Sequence, residues 1–419
     1  MRFLHASDLH IDSPLRGLDR YEGAPVERLR TATRAALERL VDTALAERVN
    51  FVLLAGDIYD RDWQDFHTGL FFHEQMVRLD RAGIRVFMVQ GNHDAQGVIS
   101  RQLILPPNVT VFSSRTAQTF QIAELAVAIH GRSFPERVVT EDLVPSYPDL
   151  VPDFFNIGLL HTSLTGRPGH DTYAPTDLAT LTAKGYDYWA LGHVHAREVV
   201  SEAPRVVFPG NLQGRRASET GAKGCELVTV EAGRIEAEFV ALDVVRWNQM
   251  VVPLDGLDRL EALGDAFRKA LEPVLVGATD RLHAVRVTLT GSTALHRLEA
   301  NQPGTLAAAV QAAAQDVSDA EVWIEQVRLE LKTPMDRAQA AQRQDAVGEL
   351  VRLVDSIAGD DAKLTSWTKS ELGDLLSALP SEVAAGEVPR LDNFTDLRAL
   401  LTDAEATVLA RLAAAADGA

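Results

Sequence analysis

Phe51-Val52-Leu53-Leu54-Ala55-Gly56-Asp57-Ile58-Tyr59-Asp60 is the stretch that decides the fold. A short continuous apolar run bounded by a turn signal reads as a strand buried on both faces, the habit of a sheet covered by helices. Gly56 lets the backbone turn closely, and Asp57 stands at the strand's carboxyl end. The plan recurs on either side. Arg2 to Ala6 reads as a strand and leads into Asp8-Leu9-His10, and Arg85 to Gln90 leads into Gly91-Asn92-His93-Asp94. Between these strands lie an amphipathic helix over Val26 to Arg48, with Leu29, Ala32, Ala36, Leu40 and Ala44 on one side, and a second from about Phe66 to Arg81. Further on, Phe155 to Leu160 runs into His161, and Tyr188 to Leu191 into Gly192-His193-Val194-His195. In open α/β sheets ligands gather beyond the carboxyl ends of strands, so these motifs belong to one site.

Each motif alone has a bland reading: a capping Asp, a turn Asn, an exposed or packed His. The ordered set does not. Asp8 and His10 are two apart after a strand, so an extended backbone can aim both the same way. Asp57 is placed to bridge two metals. Asn92 can ligate through its amide oxygen without adding charge, which leaves His93 to donate a proton to a leaving alkoxide. Asp94 is expected to hold that imidazole in its tautomer. Asp60 reads equally as a support or a helix cap. An oxygen-and-nitrogen ligand set without thiolate suits manganese, magnesium, iron or zinc. Two such ions can clamp the attacking and leaving oxygens of an in-line displacement at phosphorus.

A chain of 419 residues is too long for one ordinary core. Its 46 % hydrophobic and 24 % charged residues are those of a globular protein. The N-terminus has no secretory h-region, the apolar runs are too short to cross a bilayer, and Cys225 is the single cysteine. The expectation is a cytoplasmic protein with no membrane association. A formal net charge of −18 argues against coating nucleic acid by bulk electrostatics, but does not exclude a nuclease, because bound cations offset acidic charge where a phosphate docks.

From Val109 to Val240 the strands are more closely spaced, which predicts a second sheet packed on the first. Candidates include Val109 to Phe112, Ala126 to His130, Arg205 to Phe208 and Glu226 to Val230. A new unit begins near Arg246: a strand at Trp247 to Val252, a helix at Leu257 to Leu271, a strand carrying Val285, Val287 and Leu289, a helix at Thr305 to Gln315 and a strand at Val322 to Leu331. The remainder reads as helical. Val347, Leu350, Val351, Val354 and Ile357 form one stripe, Ser381 to Arg390 reads as a loop, and Thr402-Asp403-Ala404-Glu405 matches a capping box opening a final helix through Leu412. The expected domains are 1–245, an α+β capping domain over 246–334, and a helical segment over 335–419.

The motifs, in this order, resemble the calcineurin-like metallophosphoesterase superfamily. Ala6 to Pro14, Phe155 to Thr162, Gly185 to His195 and Phe208 to Arg215 are longer strings that resemble SbcD-type DNA repair exonucleases, in particular their YhaO-like branch. The resemblance implies a two-sheet α/β sandwich flanked by helices, and two manganese ions. One would be held by Asp8, His10, Asp57 and His195, the other by Asp57, Asn92, His161 and His193, with His93 as proton donor supported by Asp94. It further implies DNA as substrate and an SMC-like, SbcC-type ATPase as partner, reached through a helical segment after the cap. Pairing with a second copy of the chain is compatible with the sequence. No string of the family is evident after about Ala241. The Val347 to Ile357 and Val408 to Leu412 stripes suit either a partner or a small helical core of their own.

Arg215 and Arg216 are candidate phosphate contacts, since Arg forks match phosphate oxygens, although a surface turn would contain them as well. His170, in the Gly166 to His170 loop, is a candidate substrate contact, because loops on such scaffolds often carry function. Three functions compete: a metal-dependent DNA exonuclease or endonuclease subunit, a phosphodiesterase for a small molecule such as a cyclic nucleotide or nucleotide-linked lipid, and a non-catalytic scaffold. The full ligand set, with His93 beside Asn92, makes the scaffold the weakest of them.

Overall fold

The computed structural model describes residues 1–13, 23–60, 66–95, 104–167, 171–378 and 393–417. Two compact units emerge, Met1–Asn248 with Asp280–Ala284, and Gln249–Thr279 with Val285–Ala419.

The first unit carries two six-stranded sheets. In chain order, β1 (Arg2–Ala6), β2 (Phe51–Ala55), β3 (Arg85–Val89) and β4 (Val109–Val111) lie side by side and parallel. β5 (Gln118–Ile122), β6 (Val127–Gly131), β7 (Phe155–His161), β8 (Tyr188–Gly192), β9 (Glu198–Glu202) and β10 (Arg205–Phe208) make the second sheet, in the order β5-β6-β7-β8-β10-β9. The sequence places Val109 to Phe112 and Glu226 to Val230 in this second sheet, but the former is β4 and pairs with β3 in the first. The latter lies in β11 (Gly224–Glu231), which pairs antiparallel with β1 and is followed at the edge by β12 (Arg234–Ala241), so the chain returns to the first sheet. The β11–β12 turn is made by Ala232 and Gly233, both at positive φ, as a two-residue hairpin requires.

Side-chain alternation explains the layers. Phe3, Phe51, Leu53 and Phe87 face the second sheet's Ile129, Ile157, Leu159 and Tyr188 in one core. Leu4, Val52, Leu54 and Val86 point the other way, onto α1 (Val26–Ala46) and α2 (Phe66–Arg81). The α1 stripe of Leu29, Ala32, Ala36, Leu40 and Ala44 is buried throughout. β2 is buried at every position, which is why it reads as an unbroken apolar run. Trp189 and Leu191 of β8 pack outward, close to α3 (Leu178–Ala183).

Most of a three-stranded sheet, β13 (Val245–Pro253), β14 (Leu282–Ser292) and β15 (Glu321–Lys332), belongs to the second unit and shares a core with α4 (Leu260–Leu275), α5 (Leu295–Asn301) and α6 (Thr305–Gln315). Among the described residues, the helices α7 (Arg337–Ala341), α8 (Ala346–Ala358), α9 (Asp361–Ala378) and α10 (Phe394–Asp417) follow. The expected helix start at Thr402 is not one. α10 begins eight residues earlier, where the Asn393 side chain accepts from the Thr395 N–H. Thr402 is interior, and its hydroxyl bonds the Arg398 carbonyl one turn back. The Val347–Ile357 stripe packs on the chain itself. Val347 and Val351 meet Leu409, and Val354 meets Leu364, Leu397 and Leu401. Ser381 to Arg390 lies outside the described residues. Among the described residues, no helix is long and apolar enough to cross a membrane.

Candidate dimetal site

Parallel strands deliver the motif residues to one edge. Asp8 and His10 follow β1, Asp57 follows β2, Asn92 and His93 follow β3, His161 ends β7, and His193 and His195 follow β8. The turns that aim them are strained. Asp8, His10 and Asp57 sit at φ 52°, 42° and 52°, and His193 at φ 102°, conformations that cost on the order of 1–3 kcal/mol each and persist only where the surroundings impose them. Here the Asp8 and His10 N–H groups donate to the Gly56 and Asp57 carbonyls, and the His193 N–H donates to the Asp8 carboxylate, each at about 3.0 Å. Two glycines make room. A Cβ on Gly91 would lie 2.3 Å from Asp57 Oδ1, and one on Gly192 would lie 2.0 Å from the Ala55 carbonyl oxygen.

Among the described residues the candidate ligand atoms fall into three groups, Asp8–His10–His195, Asp57–His161–His193 and His10–Asp60–His93, of which the first two hold the motif residues expected as ligands. Asp57 Oδ2 links these two, at 3.8 Å from His10 Nε2 and 3.6 Å from His161 Nε2. The donor chemistry fits cations. His161 Nδ1 is 2.8 Å from the Ala55 carbonyl, which can only accept, so Nδ1 carries the proton and Nε2 presents a lone pair. That lone pair faces the Asn92 amide oxygen at 3.0 Å. Two acceptors so close call for a positive charge between them. His193 Nε2 likewise donates to the Asp171 carbonyl at 2.9 Å, which puts the lone pair on Nδ1. Burial pushes His10 well below the ordinary imidazole range and His193 down to about 4, which keeps both neutral as ligands must be. Burial opposes ionisation of Asp8, but His195, His161 and the His193 N–H outweigh it and hold its carboxyl below the usual range.

His93 lies beside the two groups of expected ligands, clustered with His10 and Asp60. Its N–H donates to Asp57 Oδ1 at 2.9 Å, and its ring lies edge-on to His10 at 4.8 Å between centroids. Its orienting carboxylate is not the expected Asp94. His93 Nδ1 lies 2.7 Å from Asp60 Oδ1. Burial opposes charge on Asp60, yet the bonds from His93 and Ser13 prevail and hold it well below its usual range. Asp94 turns inward instead and accepts the backbone N–H groups of Ile58, Tyr59 and Gly91. Burial and the Asp57 charge push its carboxyl up, so it is a brace for the two ligand loops.

Arg215 reaches the site, with Nη1 3.1 Å from Ser13 Oγ and 3.5 Å from Asp60 Oδ2, and Nη2 3.5 Å from Glu219 Oε1. Arg216 lies at the rim: its side chain is 67 % exposed, with Nε 3.5 Å from Glu219 Oε1. His170 lies outside the described residues. Glu219 escaped sequence reasoning altogether. It is buried, and its Oε1 lies 3.0 Å from His195 Nδ1; no motif surrounds it, and only the fold reveals its partner.

Known proteins resemble the chain along most of its length. Residues 1–197 match the calcineurin-like phosphoesterase family, and residues 247–332 match the middle domain of metallophosphoesterase YhaO. The latter carries the likeness past Ala241, where the sequence shows no family string. An uncharacterized metallophosphoesterase YhaO of Bacillus subtilis (strain 168) is 35 % identical over 344 residues, covering 80 % of this chain and 82 % of that protein. Among solved structures, a dimetal phosphatase from Danio rerio aligns with 58 % of this chain and 96 % of its own, at 12 % identity and a TM-score of 0.36.

Proposed function

The chain belongs to the YhaO-like metallophosphoesterases of the calcineurin-like superfamily, and from that membership we propose that it is a dimetal DNA phosphodiesterase, an exonuclease or endonuclease subunit of DNA repair. The observation that carries the chemistry is Asp57 Oδ2 facing both His10 Nε2 and His161 Nε2, with the Asp60–His93 pair alongside. Asp8, His10 and His195 would hold one ion, Asn92, His161 and His193 the other, with Asp57 shared. Bound divalent ions would neutralise the phosphate and activate water. The chain's own residues do the rest. Asp60 takes the Nδ1–H of His93 and fixes the ring, so Nε2 is the atom that delivers a proton to the departing oxygen. Arg215 adds positive charge beside that pair. DNA as substrate is supported by the strings Gly185 to His195 and Phe208 to Arg215, which resemble those of SbcD-type nucleases and here supply His193, His195 and Arg215.

Metal-stripped protein reloaded with manganese is expected to degrade labelled DNA, and Asp57→Ala or His93→Ala to abolish this. A second reading, hydrolysis of a small phosphodiester, is favoured by Arg215 being engaged by Asp60 and Glu219 and by the net charge of −18. Turnover of cyclic and nucleotide-linked diesters with none of DNA would select it. An SMC-like ATPase remains the proposed partner, to be tested by co-purification with a co-expressed ATPase of that class.

A further inference from the structure

We propose that Glu219 is a positioning residue of the site, fixing His195 as a ligand and tying it through Arg215 to the proton-donor pair. The inference rests on reading Asp8, His10 and His195 as the ligands of one ion. Glu219 is nearly fully buried, and both of its carboxylate oxygens bond at this corner of the site. Oε1 takes the Nδ1–H of His195 at 3.0 Å, while Oε2 accepts from Asn211 Nδ2 at 3.0 Å and from the Arg215 N–H at 2.8 Å. The Arg215 and Arg216 side chains also lie 3.5 Å from Oε1, so the groups around this carboxylate are donors and it accepts from them. His195 is therefore protonated at Nδ1. Its Nε2 lone pair lies 3.8 Å from Asp8 Oδ1 and 3.3 Å from His10 Nε2, the other atoms of that group. Lys223 Nζ donates to the His195 carbonyl at 2.8 Å and fixes the backbone as Glu219 fixes the ring.

The same carboxylate shapes the turn that carries Arg215. The Glu219 N–H closes back on the Arg216 carbonyl at 2.9 Å, and a Cβ on Gly214 would meet the Glu219 carbonyl oxygen at 2.7 Å. Within this tight turn the guanidinium lies 3.5 Å from Glu219 on one side and 3.5 Å from Asp60 on the other. Two histidine–carboxylate pairs, His195–Glu219 and His93–Asp60, are thus bridged by one arginine. A carboxylate behind a ligating histidine sets its tautomer and raises its basicity, and losing it typically weakens metal binding about 10–100-fold.

The test is calorimetric titration of metal-free protein with manganese chloride, for the wild type and for His195→Ala, Glu219→Ala and Glu219→Gln. The wild type is expected to bind two ions. Glu219→Ala should weaken one of them about 10–100-fold and leave the other unchanged, and Glu219→Gln should recover most of the loss, because its amide oxygen can still accept from Nδ1. Long-range proton–nitrogen correlation spectra of the metal-free protein should show His195 protonated at Nδ1 in the wild type and redistributed towards Nε2 in Glu219→Ala. If Glu219→Ala does not fold, Glu219→Gln carries the test, and wild-type affinity at both sites then overturns the inference. Loss of one ion in His195→Ala with undiminished affinity in Glu219→Ala overturns the role of Glu219 alone. Two wild-type sites in His195→Ala overturn the ligand reading beneath it.

Discussion

Asp60, and not the adjacent Asp94, holds His93: the carboxylate oxygen lies 2.7 Å from Nδ1, across the gap between the turns after β2 and β3. The two acids should therefore fail in different ways. Asp60→Asn is expected to lower kcat while leaving manganese stoichiometry unchanged, since Asp60 belongs to the proton donor. Asp94→Asn, which weakens the bonds to three backbone N–H groups, should lower the melting temperature and loosen the loops of Asp57 and Asn92. Calorimetry and kinetics on both variants check this, and an unchanged kcat in Asp60→Asn would contradict it.

The role of His93 as an acid makes a sharper demand. Loss of a general acid costs about 10²–10⁴-fold when the leaving group needs a proton. His93→Gln should thus suffer far more on a dinucleotide, which expels an alkoxide, than on bis(p-nitrophenyl) phosphate, whose phenolate leaves unaided. Equal penalties on the two substrates would refute proton donation.

These assignments show where sequence reading reached and where it stopped. The convergence of these residues is legible because each closes a short apolar strand, and the carboxyl ends of such strands gather at one place in an α/β fold. The choice between Asp60 and Asp94 depends on which way a turn faces, and neighbours in sequence do not record that. Glu219 comes 24 residues after His195, with the whole of β9 and β10 between them. Strands β5, β9 and β12 carry no clear apolar signal because they are half-buried and polar, as in Glu198-Val199-Val200-Ser201-Glu202. The return of β11 to β1 is a long-range pairing with no local signature.

Close packing at Gly91 predicts a functional loss from a single methyl group. In Gly91→Ala the new carbon would collide with Asp57 Oδ1 at 2.3 Å and His161 Cε1 at 2.8 Å, so manganese affinity should fall markedly. Gly83→Ala is the control. It meets nothing within 4 Å but sits at φ 72°, so it should cost about 1–2 kcal/mol of stability with metal binding intact. Equal metal affinity in both variants would argue against the cradle.

Buried His5 introduces a pH dependence of stability. It lies between the Tyr188 hydroxyl and the Leu191 carbonyl, each at 3.0 Å, and burial pushes it from 6.5 down to about 3. The unfolded chain takes up this proton near pH 6.5 and the folded one does not, so the contribution is complete above 6.5 and is lost progressively as pH falls towards 3. The urea midpoint should drop between about pH 7.5 and about pH 5, and His5→Gln should show a smaller drop. Identical pH dependence in both proteins would rule this out.

The helical stripe separates core from surface. Val351 is fully buried, whereas Leu353 on the same helix is 56 % exposed. Val351→Asp should expose α8 to limited proteolysis and lower the helical signal, while Leu353→Asp should change stability by no more than about 0.5 kcal/mol. Equal resistance in the two variants would mean that the stripe is not a core.

The central claim is that two ions shared by Asp57 drive phosphodiester cleavage. The most direct measurement titrates manganese into metal-free protein while recording both calorimetric binding and hydrolysis of a phosphodiester. Two equivalents should bind, with hydrolysis appearing as the second fills, and Asp57→Asn should lose both the paired binding and the activity. Undiminished hydrolysis by Asp57→Asn, or a single equivalent bound at full activity, would contradict the account.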